Sequence, residues 1–332
     1  MKMKCLIIIL LALLSFTARA LAGEIVLKVG DDVSHKSVQA QGLDLFAERL
    51  EARNVGIKVE VFHARQLGKR DVQIQNVKLG IQDMIMGGFS SYEIFSQDLK
   101  IAETPFTFAS RAHYEAWIRS DMFKKIHEEV IKNGNQRFVN LGVLWRRGPF
   151  RVMVCKFPVL SFEDLQRVKL RVWGTETIKR IWGKQGLGAI PVVLPFGDVY
   201  LGLRQGLVDA VTVPFDLVVP MKYGEVAKHI MDMRQFWQVV LLTINEQKWQ
   251  SLTAVQQRAV LESADEGGKF FNETLEESVP KWKEELKAMG VTFHEIDRGP
   301  FVELMRKRHE EWTKEGYWRP GLIDEINALR PQ

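Results

Sequence analysis

Residues 161–174, "SFEDLQRVKLRVWG", hold the pattern that decides the fold. Ser161 is followed three residues later by Asp164, an acidic relative of the capping box that begins helices. The apolar run "KLRVWG" predicts a strand, and after it come a helix ("TETIKRIWGKQG"), a strand ("AIPVVLP"), a helix ("PFGDVYLGLRQG") and a strand ("VDAVTVP"). Strands that alternate with helices are typical of parallel βαβ units, so the sequence predicts an α/β fold.

The same alternation appears earlier in the chain. "EIVLKVG" and "GIKVEVFH" alternate as strands, and between them apolar residues recur at helical spacing: Val38, Leu43, Phe46 and Leu50. The last third is helical and charged, and Pro280 predicts a kink or break within it. Two α/β units without a low-complexity linker predict two lobes with a cleft between them.

The first 22 residues have the order of a secretory signal peptide. Two lysines precede the apolar run "CLIIILLALLSF", and "ARALA" then offers small residues for cleavage after Ala22. A membrane anchor is the alternative, but the run is shorter than the roughly 20 residues that a spanning helix needs. Removal of residues 1–22 takes away Lys2, Lys4 and Arg19, which lowers the formal charge from +5 to +2. We therefore expect an exported, periplasmic protein.

Signatures of catalysis and of nucleic-acid binding are missing from the sequence. "GGFSSY" around Ser90 lacks the second glycine of a nucleophile elbow, and no pair of histidines has zinc-ligand spacing. No cluster of lysines and arginines suits a nucleic acid, and Cys155 stands alone in the mature chain, so no disulfide framework is expected. These observations favour a binding protein over an enzyme, without metal or cofactor.

Two arginines stand in strand-like apolar runs, Arg151 in "GPFRVMV" and Arg171 in "VKLRVWG". A buried guanidinium needs an anion, because breaking a buried ion pair costs roughly 3–5 kcal/mol. The partner is either an Asp or Glu of this chain or the carboxylate of a ligand, which the arginine fork can hold with two hydrogen bonds.

The chain resembles the substrate-binding proteins of tripartite ATP-independent periplasmic (TRAP) transporters, of the dicarboxylate-receptor type. The likeness spans the mature chain and is carried by "KVEVFHARQLG", "AETPFTF", "SFEDLQRVKLRV" and "LPFGDVYLGLRQGLVDAVTVP". It implies a two-lobed α/β periplasmic binding protein fold with a cleft, crossovers between the lobes and a long helix packed along both. On that pattern, lobe I is 23–148 plus 239–278, and lobe II is 149–238 plus 279–328.

The resemblance also implies a function. A small organic acid would close the lobes over itself and be delivered to membrane permease subunits for uptake driven by an ion gradient. Arg171 would form the salt bridge with the ligand carboxylate, and Arg151 fits a second arginine 20 residues earlier. A sensor for a signalling partner, a receptor of another importer class and, less favoured, a periplasmic enzyme on the same frame are the alternatives.

The chain departs from the family pattern at two positions. Val213 stands where an asparagine is usual, and Trp173 stands where proline is common. Because a lost buried hydrogen bond costs roughly 1–3 kcal/mol, we expect an acid with a more apolar body, aromatic or branched; Trp173 is alternatively a core or hinge residue. Six further residues are weaker candidates for the ligand site, each with a structural role as the alternative: Gln66, Phe89, Ser90, Trp145, Phe196 and Trp237.

Overall fold

Two six-stranded sheets form the framework of the protein in a computed structural model that describes residues 24–331. The predicted signal peptide, residues 1–22, lies outside the described residues. Within residues 24–331, no helix is both long enough and apolar enough to span a bilayer. The fold is thus mixed α/β, as the sequence predicted, with one sheet for each of the two α/β units.

The first sheet has the strand order β2-β1-β3-β11-β4, and β5 joins it through β11. Its strands are β1 (Ile25–Gly30), β2 (Ile57–Phe62), β3 (Met84–Gly87), β4 (Gln136–Phe138), β5 (Trp145–Arg147) and β11 (Gln238–Asn245). β1 is parallel to β2 and β3, whereas β11 is antiparallel to β3, β4 and β5. The parallel units predicted from the alternation are present at β1, β2 and β3, and the sheet becomes mixed because the chain returns from the second sheet to supply β11.

The second sheet has the strand order β12-β10-β6-β9-β7-β8. Its strands are β6 (Arg151–Cys155), β7 (Lys169–Val172), β8 (Ile190–Val193), β9 (Ala210–Pro214), β10 (His229–Met231) and β12 (Thr292–His294). β7 is parallel to β8 and β9, while β6 is antiparallel to β9 and β10. Both arginines of interest therefore lie on buried strands of this sheet.

Helices cover both sheets. They are α1 (Val38–Ala52), α2 (Arg70–Leu79), α3 (Arg111–Ile118), α4 (Asp121–Gly134), α5 (Phe162–Leu165), α6 (Glu176–Trp182), α7 (Val199–Gln205), α8 (Tyr223–Val226), α9 (Glu246–Ser251), α10 (Ala254–Ala288), α11 (Gly299–Lys314) and α12 (Leu322–Ala328). The capping box predicted at the start of α5 is confirmed, since Ser161 Oγ accepts from Asp164 N and Asp164 Oδ2 accepts from Ser161 N, both at 3.2 Å.

Helix α10 runs for 35 residues without interruption, so Pro280 does not break it. Pro280 is exposed, and the carbonyl group that its missing N–H leaves free, that of Glu276, belongs to an exposed residue and can bond to water. The amino-terminal half of α10 packs on α1, and Leu286 near its carboxyl end packs in the core of the second sheet. The helix therefore spans both halves of the molecule.

The carboxyl-terminal segment contacts both halves as well. His113 Nε2 lies 2.7 Å from the carbonyl oxygen of Ile326, which ties α12 to α3 beside the first sheet. The hydroxyls of Thr177 and Tyr317 are 2.9 Å apart, which ties the same segment to α6 beside the second sheet. Strand β12 belongs to the second sheet, but the helices after it are shared between the two.

Candidate ligand-binding site

A cavity of about 510 Å³ lies between the two sheets and takes side chains from both. Six cationic residues line it, Arg65, Lys69, Arg70, Arg147, Arg151 and Arg171, against four acidic ones, Asp32, Asp71, Glu93 and Glu176. A cationic cleft of this size suits a small anion, because low-dielectric walls strengthen each charge–charge contact.

Arg171 reaches this cavity from the middle of β7. The residue is 4% exposed, and its Nε donates to the carbonyl oxygen of Leu194 at 2.9 Å. Its guanidinium carbon lies 5.5 Å from the centre of the Phe196 ring. No carboxylate of residues 24–331 lies within 4.0 Å of Arg171, and its two terminal nitrogens form no hydrogen bond within that range. Four of its five N–H groups therefore remain available.

Arg151 reaches the cavity from β6, two strands away, and is also 4% exposed. Its Nε and Nη2 donate to the hydroxyl and carbonyl oxygens of Thr212, at 2.8 and 2.9 Å, and its Nη1 donates to Gln238 Oε1 at 2.8 Å. In the described part of the chain it has no direct carboxylate partner. Three neutral acceptors hold the guanidinium in place and leave two N–H groups free.

Burial is the main electrostatic influence on both arginines. Burial, together with the positive charges of Arg147 and Arg171, lowers the pKa of Arg151 to about 9. It lowers the pKa of Arg171 to about 10, with a smaller contribution from Arg70. Both guanidiniums are charged near neutral pH although no carboxylate of the described chain contacts either one. Their removal from water therefore costs free energy of folding. An anion in the cavity would offset that cost.

The other arginines of the cavity already have carboxylate partners. Arg70 forms an ion pair with Asp32, and Arg147 lies 3.6 Å from Asp216. Arg65 lies across the cleft, 3.6 Å from Asp198 of the second half. The chain thus neutralises three of the arginine charges with its own carboxylates, those of Asp32, Asp198 and Asp216. None of these residues was predicted from the sequence, although Arg65 lies within the family-like stretch "KVEVFHARQLG" and Arg70 follows that stretch by two residues.

A charged histidine supports the loop that carries Arg65. His63 Nδ1 lies 3.0 Å from Asp31 Oδ2, and its Nε2 lies 2.9 Å from Asp44 Oδ1. Partial burial lowers the pKa of His63, but these two carboxylates outweigh it and raise the pKa to about 9. The next two residues, Ala64 and Arg65, have φ values of 51° and 70°. The histidine and its two carboxylates thus hold a backbone conformation that side-chain-bearing residues rarely adopt.

Apolar side chains form much of the remaining wall. Val213, Trp173 and Phe196 all line the cavity. The indole Nε1 of Trp173 donates to Ser90 Oγ of the other half at 3.1 Å, and its ring lies 5.1 Å from the guanidinium carbon of Arg151. Trp173 is therefore both a wall of the cavity and a bridge across the cleft. Ser90 lines the cavity too, and its hydroxyl oxygen accepts this hydrogen bond.

The remaining candidates from the sequence do not line this cavity. Phe89 is fully buried and makes edge-on contacts with Trp117 and Phe123, at ring distances of 5.8 and 5.4 Å. Trp145 is fully buried as well, and its Nε1 donates to the carbonyl oxygen of Ala264. Both predictions of a cleft-facing side chain are corrected, because apolar residues beside a strand end were drawn into the core instead.

Gln66 and Trp237 also stand apart from the main cavity. Gln66 is exposed on the loop after β2. Trp237 stacks on Arg111, whose guanidinium carbon is 5.0 Å from the ring centre. It lines a small void of about 10 Å³ behind Arg147 and Arg151. Neither side chain is fully buried in the core, but neither lines the cavity around Arg171.

Comparison with known proteins assigns the chain to a family. Residues 29–315 match the family described as bacterial extracellular solute-binding protein, family 7. The chain belongs to this family of solute-binding proteins. It is 27% identical to a solute-binding protein of Roseobacter denitrificans, over 86% of each chain, and 26% identical to the 2,3-diketo-L-gulonate-binding periplasmic protein of Escherichia coli, over 88% of each.

A solved structure shows the same fold. The TRAP periplasmic solute-binding protein of Ochrobacterium anthropi with bound L-fuconate superposes with a TM-score of 0.84 at 24% identity, over 92% of this solute-binding protein and 99% of that chain. The predicted family and the predicted two-lobed fold are both confirmed. Members of this family are receptors for solutes, which agrees with the preference for a binding protein drawn from the sequence.

Proposed function

We propose that this protein captures a small organic acid in the cavity and delivers it to the membrane permease subunits of a TRAP transporter. The observation that carries the proposal is Arg171, a buried guanidinium that faces the cavity with four uncommitted N–H groups and no carboxylate of the described chain within 4.0 Å. A ligand carboxylate accepts two of these hydrogen bonds side by side, and Arg151 supplies a further donor.

The strands supply the rigidity that this recognition needs. Arg171 is fixed through Leu194, and Arg151 is fixed through Thr212 and Gln238. A carboxylate that binds between them meets donors already in place, so little side-chain entropy is lost on binding. Exclusion of water when the lobes close then strengthens the charge pair.

The walls support an acid whose body is partly apolar. Val213 presents no hydrogen-bonding group, and Trp173 presents its ring because its N–H is held by Ser90. Of the relatives described above, one is named for binding 2,3-diketo-L-gulonate and another holds L-fuconate, and both of these acids support the carboxylate end of the ligand. The apolar wall distinguishes this cavity from one built for many hydroxyls, and we propose an aromatic or branched acid as the preferred ligand.

The cellular setting follows from the same family. We propose that the signal peptide of residues 1–22 exports the chain and that it acts in the periplasm as a receptor without catalytic activity. Lobe closure over the acid would present the permease with a surface that exists only in the loaded receptor. In this proposal the chain passes between the two lobes after residues 148, 238 and 278, as the family resemblance implies.

A thermal-shift screen of residues 23–332 tests the proposal, after unfolding and refolding to remove any bound solute. The library holds dicarboxylates, sugar acids, keto acids, aromatic acids and amino acids. A ligand at 100 times its Kd adds about 2.7 kcal/mol, which raises the Tm by a few degrees. Arg171→Ala should abolish the shift, while Arg306→Ala, on the exposed face of α11, should leave it intact. No shift with any acid, or a shift that survives Arg171→Ala, would refute the binding mode.

A further inference from the structure

A buried carboxylate, that of Glu103, lies behind the cavity wall next to Gln238. Glu103 ends the 3₁₀ helix Gln97–Glu103 and is 1% exposed. Its Oε1 accepts a hydrogen bond of 2.8 Å from Gln238 Nε2, and its Oε2 has no hydrogen-bond partner among the described residues. No Lys, Arg or His nitrogen of the described chain lies within 4.0 Å of it. Glu103 is therefore a buried acid without a direct cationic partner among the described residues.

Gln238 links this acid to Arg151. The amide accepts from Arg151 Nη1 through Oε1 and donates to Glu103 through Nε2, each at 2.8 Å. An amide group can serve both partners at once, which neither a carboxylate nor an ammonium group could do in its place. Of the charges around Arg151, that of Glu103 has the largest effect: it raises the pKa of Arg151 and so opposes the lowering by burial. The acid thus acts as the counter-charge of Arg151 across one amide.

The backbone leaves room for this relay at Gly88. A Cβ atom at Gly88 would lie 2.8 Å from Glu103 Oε1 and 3.1 Å from Gln238 Nε2. Any side chain there would push against the hydrogen bond between the two. The second glycine of "IMGG" is therefore required by the relay.

We infer that Glu103, acting through Gln238, makes the site selective for acids that carry a single negative charge over isosteric acids that carry two. The inference rests on the proposed function and specifies its ligand class. Of the other arginines that line the cavity, Arg147 has Asp216, Arg70 has Asp32 and Arg65 has Asp198. Arg151 has Glu103 through the amide. Arg171 is the buried arginine of the described cavity wall that has no carboxylate of its own.

One carboxylate on the ligand therefore balances the positive charge of Arg171. A second carboxylate would find no free guanidinium in the described cavity wall. Lys69 also lines the cavity and has no carboxylate within 4.0 Å among the described residues, but it is exposed, so water screens its charge. Glu93, which is 8% exposed and lines the cavity, would repel the second carboxylate. Burying an unpaired carboxylate is costly, so a dianion loses affinity even where its shape fits. The apolar wall at Val213 and Trp173 adds no compensation, since Trp173 already donates its N–H to Ser90.

Matched pairs of acids test the inference by calorimetry at pH 7.5. Levulinate and succinate have nearly the same shape, as do 4-acetylbenzoate and terephthalate, but the first of each pair has one charge and the second has two. We expect the unmodified protein to bind the single-charge member of whichever pair fits at least about tenfold more tightly. This factor corresponds to one extra charge roughly 10 Å from a fixed one at an effective dielectric constant of about 20.

Glu103→Gln removes the carboxylate charge and keeps the side-chain shape. The ratio of affinities for the single-charge and the double-charge acid should therefore fall by about tenfold. Glu246→Gln removes a partly buried carboxylate that pairs with Arg137 instead, and should leave the preference unchanged. Equal or tighter binding of the dianion by the unmodified protein overturns the inference whether or not the Glu103 variant folds. So does a Glu103 variant with an unchanged preference. Failure of every acid in the wider screen to bind would instead overturn the proposed function.

Discussion

The charged histidine beside the cavity rim makes the stability of this protein depend on pH above neutrality. His63 is held by Asp31 and Asp44 and has a folded-state pKa of about 9, against 6.5 for an unperturbed histidine. Because the folded chain binds this proton more tightly than the unfolded chain, the contribution is complete below about pH 6.5 and is lost as the pH rises through about 9.

The expected loss follows from the two pKa values. Between pH 7 and pH 9.5, linkage gives a fall of about 2 kcal/mol in the free energy of unfolding from His63. Thermal unfolding of about 310 residues has an entropy near 0.65 kcal/mol/K, so the Tm falls by about 3 °C from this group alone. His63→Gln keeps a polar side chain but has no proton to lose in this range.

Differential scanning calorimetry at pH 7, 8, 9 and 9.5 measures this effect as the Tm of the unmodified protein minus that of His63→Gln. Arginines and lysines titrate in both proteins, so their contributions cancel in the difference. The difference should be largest at pH 7 and shrink by about 3 °C by pH 9.5. Burial lowers the pKa of His127 to about 4, so His127→Gln should give a difference that does not change over this range. A constant difference for His63→Gln would refute the charged-histidine account.

Three further results are expected. Trp145→Phe removes the hydrogen bond to Ala264 and should cost about 1–2 kcal/mol, seen as a lower Tm with unchanged ligand affinity by calorimetry. Trp173→Phe removes the hydrogen bond to Ser90 across the cleft and should raise the Kd of an acid ligand by about fivefold, since a net hydrogen bond is worth about 1 kcal/mol. Asp198→Asn breaks a partly exposed contact with Arg65, worth less than about 1 kcal/mol, and should raise the dissociation rate measured by stopped flow by less than about fivefold; a larger change would mean that this contact dominates closure.

Much of the fold could be predicted because its signals are local. The capping box of residues 161–164 and the strand around Arg171 are each encoded by a few adjacent residues. Helices α3 and α4 were not predicted, and neither was strand β11. β11 pairs with β3, β4 and β5, which precede it by about 90 residues or more. Pairing over such separations leaves no periodic trace in one sequence.

The candidate site divides in the same way. Arg171 and Arg151 stood out because a charge inside an apolar strand is unusual and demands a partner. Glu103 did not stand out, since its role depends on Gln238, which is far from it in sequence and near it in space. Phe89 was assigned to the cleft because a strand end can face either the cavity or the core. Its contacts with Trp117 and Phe123 decide for the core.

The electrostatics of the site link ligand binding to lobe closure. Arg151 and Arg171 lie on adjacent parts of one sheet, whereas Gln238 and Ser90, which contact Arg151 and Trp173, come from the other half. Closure therefore covers two guanidiniums of the second half with the wall of the first half, and without an anion the cost of removing them from water opposes the closed form. A ligand can shift the lobes only by its difference in affinity for the two forms. A carboxylate gains most where water is excluded, so the same charge that makes empty closure costly makes loaded closure favourable.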